Sequence, residues 1–377
     1  MNASETRKQT IETIWKAAIA SVAGYQAVAN ALATDPPFQP GLVLAVGKAA
    51  VGMCQGALDN LAPCAALVVT KYDHADADFF NRPQVEVIES AHPVPDQNSI
   101  LAGKTLLERI SDLSNESRVL LLVSGGASSL AESLVDGTSL QDLQQITDEM
   151  LSAGNTIAEI NGRRKQLSLI KDGRLIEAFK GIEIRVYAIS DVEGDSIGTI
   201  GSGIGDCYRA CTTASSTIIA SNQIARNNAV AAAEKLGLSV HHNEESLFDD
   251  LFSLVPVIAQ TLESAKPGMY LWGGEPTVVL PQNPGRGGRN QSLALALAET
   301  LQGRNDISVL VAGTDGTDGP TDAAGGLVDG DSWGDTKAAR DALSRADAGP
   351  YLEQRNSLFV TGPTNTNVMD LIIAIVD

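Results

Sequence analysis

The sequence predicts two α/β domains, and three observations point there. Short, continuously apolar runs recur along the chain, each ending in a polar, usually glycine-containing turn and followed by a stretch of helical spacing. Strands apolar on both sides that alternate with helices argue for parallel sheets covered on both faces. The runs fall into two blocks, separated by an alanine-rich and then acidic stretch at roughly residues 228–251. With 377 residues, 44% of them hydrophobic, the chain can bury more than one core. The expected domains are 1–228 and 229–377.

Each element follows from its local pattern. Ile11, Ile14, Trp15, Ala18, Ile19 and Val22 recur at helical spacing, with Glu5, Glu12 and Lys16 interrupting, so an amphipathic first helix is expected rather than a signal peptide. Residues 42–46 form the first apolar run, ending at Gly47-Lys48 before a helix-like stretch. Residues 119–123 lead into Ser124-Gly125-Gly126, and residues 185–189 into Ser190-Asp191. In the second block, residues 269–272 lead into Gly273-Gly274-Glu275-Pro276, and 277–280 read as a further strand. A glycine-arginine loop then opens a helix, and residues 308–312 run into Gly313-Thr314-Asp315.

Composition excludes several classes of function. Non-specific nucleic-acid binding needs a basic footprint, and at a net charge of −19 no Lys/Arg run in the chain supplies one. No stretch of about 18 uncharged apolar residues occurs, so no membrane span is expected. Cys54, Cys64, Cys207 and Cys211 are too few and scattered for a disulfide framework or a cysteine metal site, which suits a reducing cytoplasm.

In open α/β sheets, ligands bind beyond the carboxyl ends of the strands, so the turns after the strands are where chemistry belongs. The strongest is Gly285-Arg286-Gly287-Gly288-Arg289-Asn290-Gln291. Glycines admit close backbone approach, helix-start N–H groups favour an anion, and Arg286 and Arg289 add forked donors for phosphate or carboxylate. The loop at residues 313–322 repeats Asp315, Asp318 and Asp322 among glycines, oxygen ligands suited to Mg2+, although such residues also build plain turns. Lys48 follows the first strand as a mobile cation; the turn is not a P-loop, because Gly41 is one residue too far from Gly47 and Ala49 stands at the Ser/Thr position. Ser124, Gly125 and Gly126 form a backbone nest for an anion, favoured over a nucleophilic serine because no elbow spacing is present. Asp191 and Glu275 offer acids for a metal or a general base, with a solvated turn as the competing reading. His92, held between prolines in Ala91-His92-Pro93-Val94-Pro95, could face a substrate carboxylate or simply bond within a turn.

Taken together, AVGKAA, SAHPVPD, LLLVSGGASSL, YAISDVEGD, WGGEPTV, GRGGRNQ, AGTDGTDGPTDAAG and TGPTNTNVMD resemble, in order, the class II glycerate kinase or MOFRL family, whose members are often labelled hydroxypyruvate reductase. The resemblance implies a Rossmann-like N-terminal domain, a MOFRL-type C-terminal domain and an active site in the cleft between them. It also implies ATP- and Mg2+-dependent phosphorylation of D-glycerate, typically giving 2-phosphoglycerate. Carried onto this chain, Lys48, Asp191, Arg286 and Arg289 would be catalytic. Ser124, Gly125, Gly126, His92, Gly287, Gly288 and Asn290 would bind substrate or nucleotide, and Asp191, Glu275, Asp315 and Asp318 would be the acids for Mg2+. The chain departs from the family pattern where Glu193 replaces a proline and Ser196 replaces an aspartate.

Phosphoryl transfer is mostly positioning and charge stabilisation, and these loops supply the acids, cations and backbone donors it needs. The main rival is an NAD(P)H-dependent hydroxypyruvate reductase, but no turn has the G-x-G-x-x-G spacing that a dinucleotide requires. A non-catalytic sugar-acid or nucleotide sensor is the third reading.

Overall fold

The computed structural model describes residues 3–75, 79, 81–155 and 157–377. Its contacts divide the chain into two compact units, Ala23–Ser221 and a discontinuous one made of Met1–Val22 with Asn222–Asp377. This differs from the two consecutive domains expected, 1–228 and 229–377. The first helix, α1 (Ala3–Val22), buries Ile11, Ile14, Trp15, Ala18 and Val22 within the discontinuous unit. It packs on the helix that begins at Asn222, so the second unit opens a few residues before the expected boundary.

The Ala23–Ser221 unit holds helix α2 (Gly24–Thr34), strand β1 (Leu42–Val46), α3 (Ala50–Asn60), β2 (Ala65–Lys71) and β3 (Val85–Ser90). It continues with α4 (Gln97–Ser111), β4 (Arg118–Val123), α5 (Ala127–Leu130), α6 (Leu140–Ser152), α7 (Ile157–Gln166), α8 (Arg174–Glu177), β5 (Glu183–Ile189) and β6 (Thr213–Ala220). The sheet order is β3-β2-β1-β4-β5-β6, and every pairing is parallel, as the apolar runs predicted. In this doubly wound order the chain reverses direction between β1 and β4, where a crevice opens at the carboxyl ends of the strands. β1 and all but the first residue of β4 are buried, because helices cover both faces.

The discontinuous unit contains α9 (Asn222–Lys235), β7 (Val240–Leu247), α10 (Leu251–Glu263), β8 (Gly268–Gly274), α11 (Arg289–Thr300), β9 (Ile307–Gly313) and β10 (Gly325–Asp329). It ends with α12 (Thr336–Ser344), α13 (Ala348–Gln354), β11 (Leu358–Phe359) and β12 (Asp370–Val376). Its sheet, ordered β11-β10-β9-β12-β8-β7, is mixed rather than parallel. Only β7 and β8 run parallel; the terminal strand β12 inserts antiparallel between β8 and β9. The expectation failed because a strand buried on both faces reads as continuous apolar sequence whichever way its neighbours run. Residues 277–280 form no strand: Thr277 makes one isolated bridge to Asp250, and Val279 and Leu280 are exposed. Among the described residues no helix is long and apolar enough to cross a membrane.

Candidate active site

The expected functional residues fall into two groups, one in each unit. In Ala23–Ser221 they gather at the β1/β4 reversal. The Ser124 N–H bonds the Val46 carbonyl at 3.0 Å, the Lys48 N–H bonds the Gly125 carbonyl at 2.9 Å, and the Ser124 hydroxyl accepts the Ala49 N–H at 3.1 Å. These bonds tie the turn after β1 to the turn after β4. The contact needs glycine: a Cβ on Gly47, whose φ is +133°, would stand 2.1 Å from Ser124 Oγ.

Two further turns converge on the same place. A Cβ on Gly125 would lie 2.0 Å from Asp191 Oδ2, so the bare glycine lets the carboxylate reach the backbone of the Ser124–Gly126 turn. A Cβ on Gly126, at φ +84°, would meet His92 Cδ2 at 3.0 Å and Lys48 Cγ at 3.2 Å. Lys48, His92, Ser124–Gly126 and Asp191 therefore come together from the ends of β1, β3, β4 and β5. The His92–Pro93 peptide is cis.

Electrostatics follow from that crowding. Burial, then the positive charges of Lys48 and Lys71 and the neighbouring His74, push His92 down to about 4, leaving it neutral at pH 7. Burial pushes the Asp191 carboxyl up, against the attraction of Lys48. A neutral imidazole, a lysine and a carboxylate with raised basicity are thus set around a turn of small residues. On the same loop as Asp191, Asp195 sits at φ +51°, and its buried Oδ1 has no hydrogen-bond partner among the described residues.

The second group is built around Arg289, the first residue of α11. Its Nε and Nη2 bond the two oxygens of Asp370 at 2.7 and 3.3 Å, and Nη1 pairs with Glu275 at 3.0 Å. Burial disfavours the charged guanidinium, but these carboxylates outweigh it and push its pKa up. The helix-start N–H groups are already used: Asp318 accepts those of Asn290 at 3.1 Å and Gln291 at 2.8 Å. Asp318 is thus the anion at the N-terminus of α11, and burial, opposed by those N–H bonds, pushes its carboxyl up to about 6. Gly288 makes room for it, since a Cβ there would lie 2.2 Å from Asp318 Cγ; Gly287 packs on the backbone of Ala348.

The remaining expected residues are placed less centrally. Asp315 accepts the N–H and hydroxyl of Thr317, as in an Asx turn. Arg286 is exposed; its backbone N–H bonds Asp347, and its guanidinium makes no ion pair among the described residues. Asp370 was not anticipated as a functional residue. It opens an apolar terminal strand and so reads as structural, yet its register opposite Gly274 and Gly313 sets it where the Glu275 and Asp315 loops both begin. That register depends on which strands neighbour β12, information that local sequence does not carry.

Comparison with known proteins gives this arrangement a class. Residues 10–236 match a domain of unknown function, DUF4147, and residues 268–370 match the MOFRL family. A D-glycerate 2-kinase of Thermotoga maritima is 34% identical over 89% of this chain and 90% of its own. A protein of Agrobacterium vitis named putative hydroxypyruvate reductase is 34% identical over 88% of this chain and 97% of its own. The crystal structure of a glycerate kinase from Thermotoga maritima superposes with a TM-score of 0.90 at 32% identity, covering 99% of this chain and 100% of that one. The protein is a phosphotransferase with an alcohol group as acceptor. It belongs to the DUF4147–MOFRL family, which contains glycerate kinases.

Proposed function

We propose that this enzyme transfers the γ-phosphoryl group of ATP to the 2-hydroxyl of D-glycerate, giving 2-phosphoglycerate and ADP. The observation that carries the reading is the meeting of Lys48, Asp191 and His92 over Gly125 and Gly126 at the β1/β4 reversal. The names of the Thermotoga maritima relatives support the same acceptor.

In the reaction the substrate oxygen forms a bond to the γ-phosphorus as the bond to the bridging oxygen breaks, and ADP leaves with that electron pair. Asp191, made more basic by burial, accepts the hydroxyl proton. Lys48 offsets negative charge on the transferring group, and the Ser124–Gly126 backbone holds its oxygens. His92, being neutral, can donate one hydrogen bond without adding charge. In the other unit Arg289 is already held by Asp370 and Glu275 and Asn290 is buried, whereas Arg286, exposed and without an ion pair among the described residues, is a cation free to take a carboxylate or phosphate oxygen.

Among the described residues no three acids or histidines stand together as a metal site, so Mg2+ would draw on one or two acids and on the phosphates. Asp195, whose buried Oδ1 has no hydrogen-bond partner among the described residues, is the acid best suited to it. Glu275, Asp315 and Asp318 are further oxygen donors, each already bonded within the protein. Bound there, the ion would neutralise phosphate charge. The four cysteines are unpaired, and we place the enzyme in the cytoplasm.

The Agrobacterium vitis name raises the reductase alternative. The turn after β1, Gly47-Lys48-Ala49, lacks the glycine spacing that brings a dinucleotide pyrophosphate onto a helix start. The deciding measurement is ADP release from ATP and Mg2+ with D-glycerate, run beside NADH and NADPH oxidation with hydroxypyruvate. Glycerate-dependent ADP release with silent nicotinamide assays is expected, and phosphorus NMR of the product locates the phosphate. Nicotinamide oxidation without ADP release would overturn the assignment.

A further inference from the structure

A second set of charges lies inside the Ala23–Ser221 unit, and the roles above leave it unused. Lys171 and Glu132 are both fully buried and pair with each other. Glu132 also accepts the Ser133 N–H at 3.1 Å. Arg164, on α7, reaches the Ser128 carbonyl through Nη2 at 3.4 Å, while its Nε is buried with no hydrogen-bond partner among the described residues. Among the described residues the charges that act on it are Glu132, already paired with Lys171, and Lys171 itself. The trio therefore carries one net positive charge, in a chain whose own net charge is −19.

A half-buried guanidinium whose Nε is shielded from water and unbonded, and which forms no ion pair among the described residues, is unfavourable, and native structures hold few such groups. This one borders the turn after β4. Ser128, whose carbonyl it touches, follows Ser124–Gly126 by two residues, and the Ser128 hydroxyl bonds that of Ser202 at 2.8 Å. The neighbouring Lys165 is not a substitute, because its ammonium bonds the Gly198 carbonyl at 2.7 Å.

We propose that Arg164 is an anion-binding residue: its guanidinium takes an oxygen of a ligand carboxylate or phosphate beside the Ser124–Ser128 turn, with the buried Lys171–Glu132 pair holding its surroundings in place. The fork geometry suits either group. The proposal rests on the reading of that turn as an anion cradle, and its test needs no turnover.

Dissociation constants are measured by calorimetry for inorganic phosphate, D-glycerate and ATP, each alone, on the wild type and on Arg164→Met, which keeps length and removes charge. Melting curves monitor the fold. The expected result is a folded variant with an unchanged or higher Tm that binds at least one anion ten-fold or more weakly. Loss for phosphate and ATP assigns Arg164 to a phosphoryl group, and loss for D-glycerate alone assigns it to the carboxylate. Affinities within two-fold of wild type for all three would overturn the proposal, as would a wild type that binds none of them. If Arg164→Met does not fold, Arg164→Lys carries the test: it keeps charge without the fork, and unchanged affinities there overturn the idea equally. Wild-type binding that depends on Arg164 without glycerate phosphorylation would sink the kinase reading and leave this one standing.

Discussion

Arg289 is defined by its partners. One face of its guanidinium is fixed by Asp370, which is 2% exposed, and the other meets the half-exposed Glu275. Removing the arginine alone strands a buried carboxylate, a change that typically costs ~3–5 kcal/mol. Arg289→Ala should therefore lose both activity and about that much stability, measured by urea unfolding. Adding Asp370→Asn should restore most of the stability and none of the activity. If the double variant were as unstable as the single one, the pair would not be what holds this corner. A second residue-scale prediction concerns His92, whose folded pKa lies near 4, below the ordinary 6.5. The folded protein then binds this proton less readily than the unfolded chain, so the contribution of His92 to stability is complete above pH 6.5 and is lost as pH falls towards 4. The imidazole resonances should titrate near 4 and shift upward in Lys48→Met; a midpoint at 6.5 in the wild type would refute the crowding described here. Lys48 and Asp191 were conspicuous in the sequence because each stands in the turn directly after a strand, and Arg289 because it sits among glycines at a helix start. Asp370 and Arg164 were not, since their meaning comes from partners some 80 and 36 residues away.

At the scale of elements, the parallel sheet was legible because each apolar run ended in a turn that a buried parallel strand requires. The mixed sheet was not, because strand direction is set by pairing across β8, β12 and β9 and leaves no mark on composition. Expecting the helix-start N–H groups of α11 to bind a ligand anion had sound physics and the wrong anion, since Asp318, 28 residues beyond Asn290, occupies them. The glycines after β4 offer the sharpest element-scale test. Gly125→Ala would drive a methyl group to within 2.0 Å of Asp191 Oδ2, and the carboxylate must swing away. Glycerate phosphorylation should fall by about 100-fold or more, of the order seen when a positioned general base or charge-stabilising group is lost. Gly41→Ala, which meets nothing within 4 Å, serves as the control and should be close to wild type. Equal activity in both variants would separate Asp191 from the chemistry.

At the scale of the whole molecule, the chain begins in one unit, crosses into the other at Ala23 and returns at Asn222. The first helix is consequently part of a core whose strands lie more than two hundred residues later. Arg7 bonds Ser308, Asn305 and Asp377, and Trp15 meets Phe359 edge-on with ring centroids 5.7 Å apart. The helix buries six apolar side chains, Ile11, Ile14, Trp15, Ala18, Ile19 and Val22, against this unit. At ~1.5–3 kcal/mol for each large one, their burial is worth on the order of 10 kcal/mol as an upper bound. That rivals the ~5–15 kcal/mol that holds a typical domain folded. Deleting residues 1–22 should therefore unfold the Asn222–Asp377 part while leaving Ala23–Ser221 with its own sheet and core. Tryptophan gives a clean readout, because Trp15, Trp272 and Trp333 all lie in the discontinuous unit and are all buried. The deletion should shift the emission of Trp272 and Trp333 to the red at 25 °C, while far-UV circular dichroism keeps the helical signal of the other unit. Unshifted emission with a cooperative melt would mean that the C-terminal sheet stands without the helix, and that the discontinuity is connectivity rather than a source of stability.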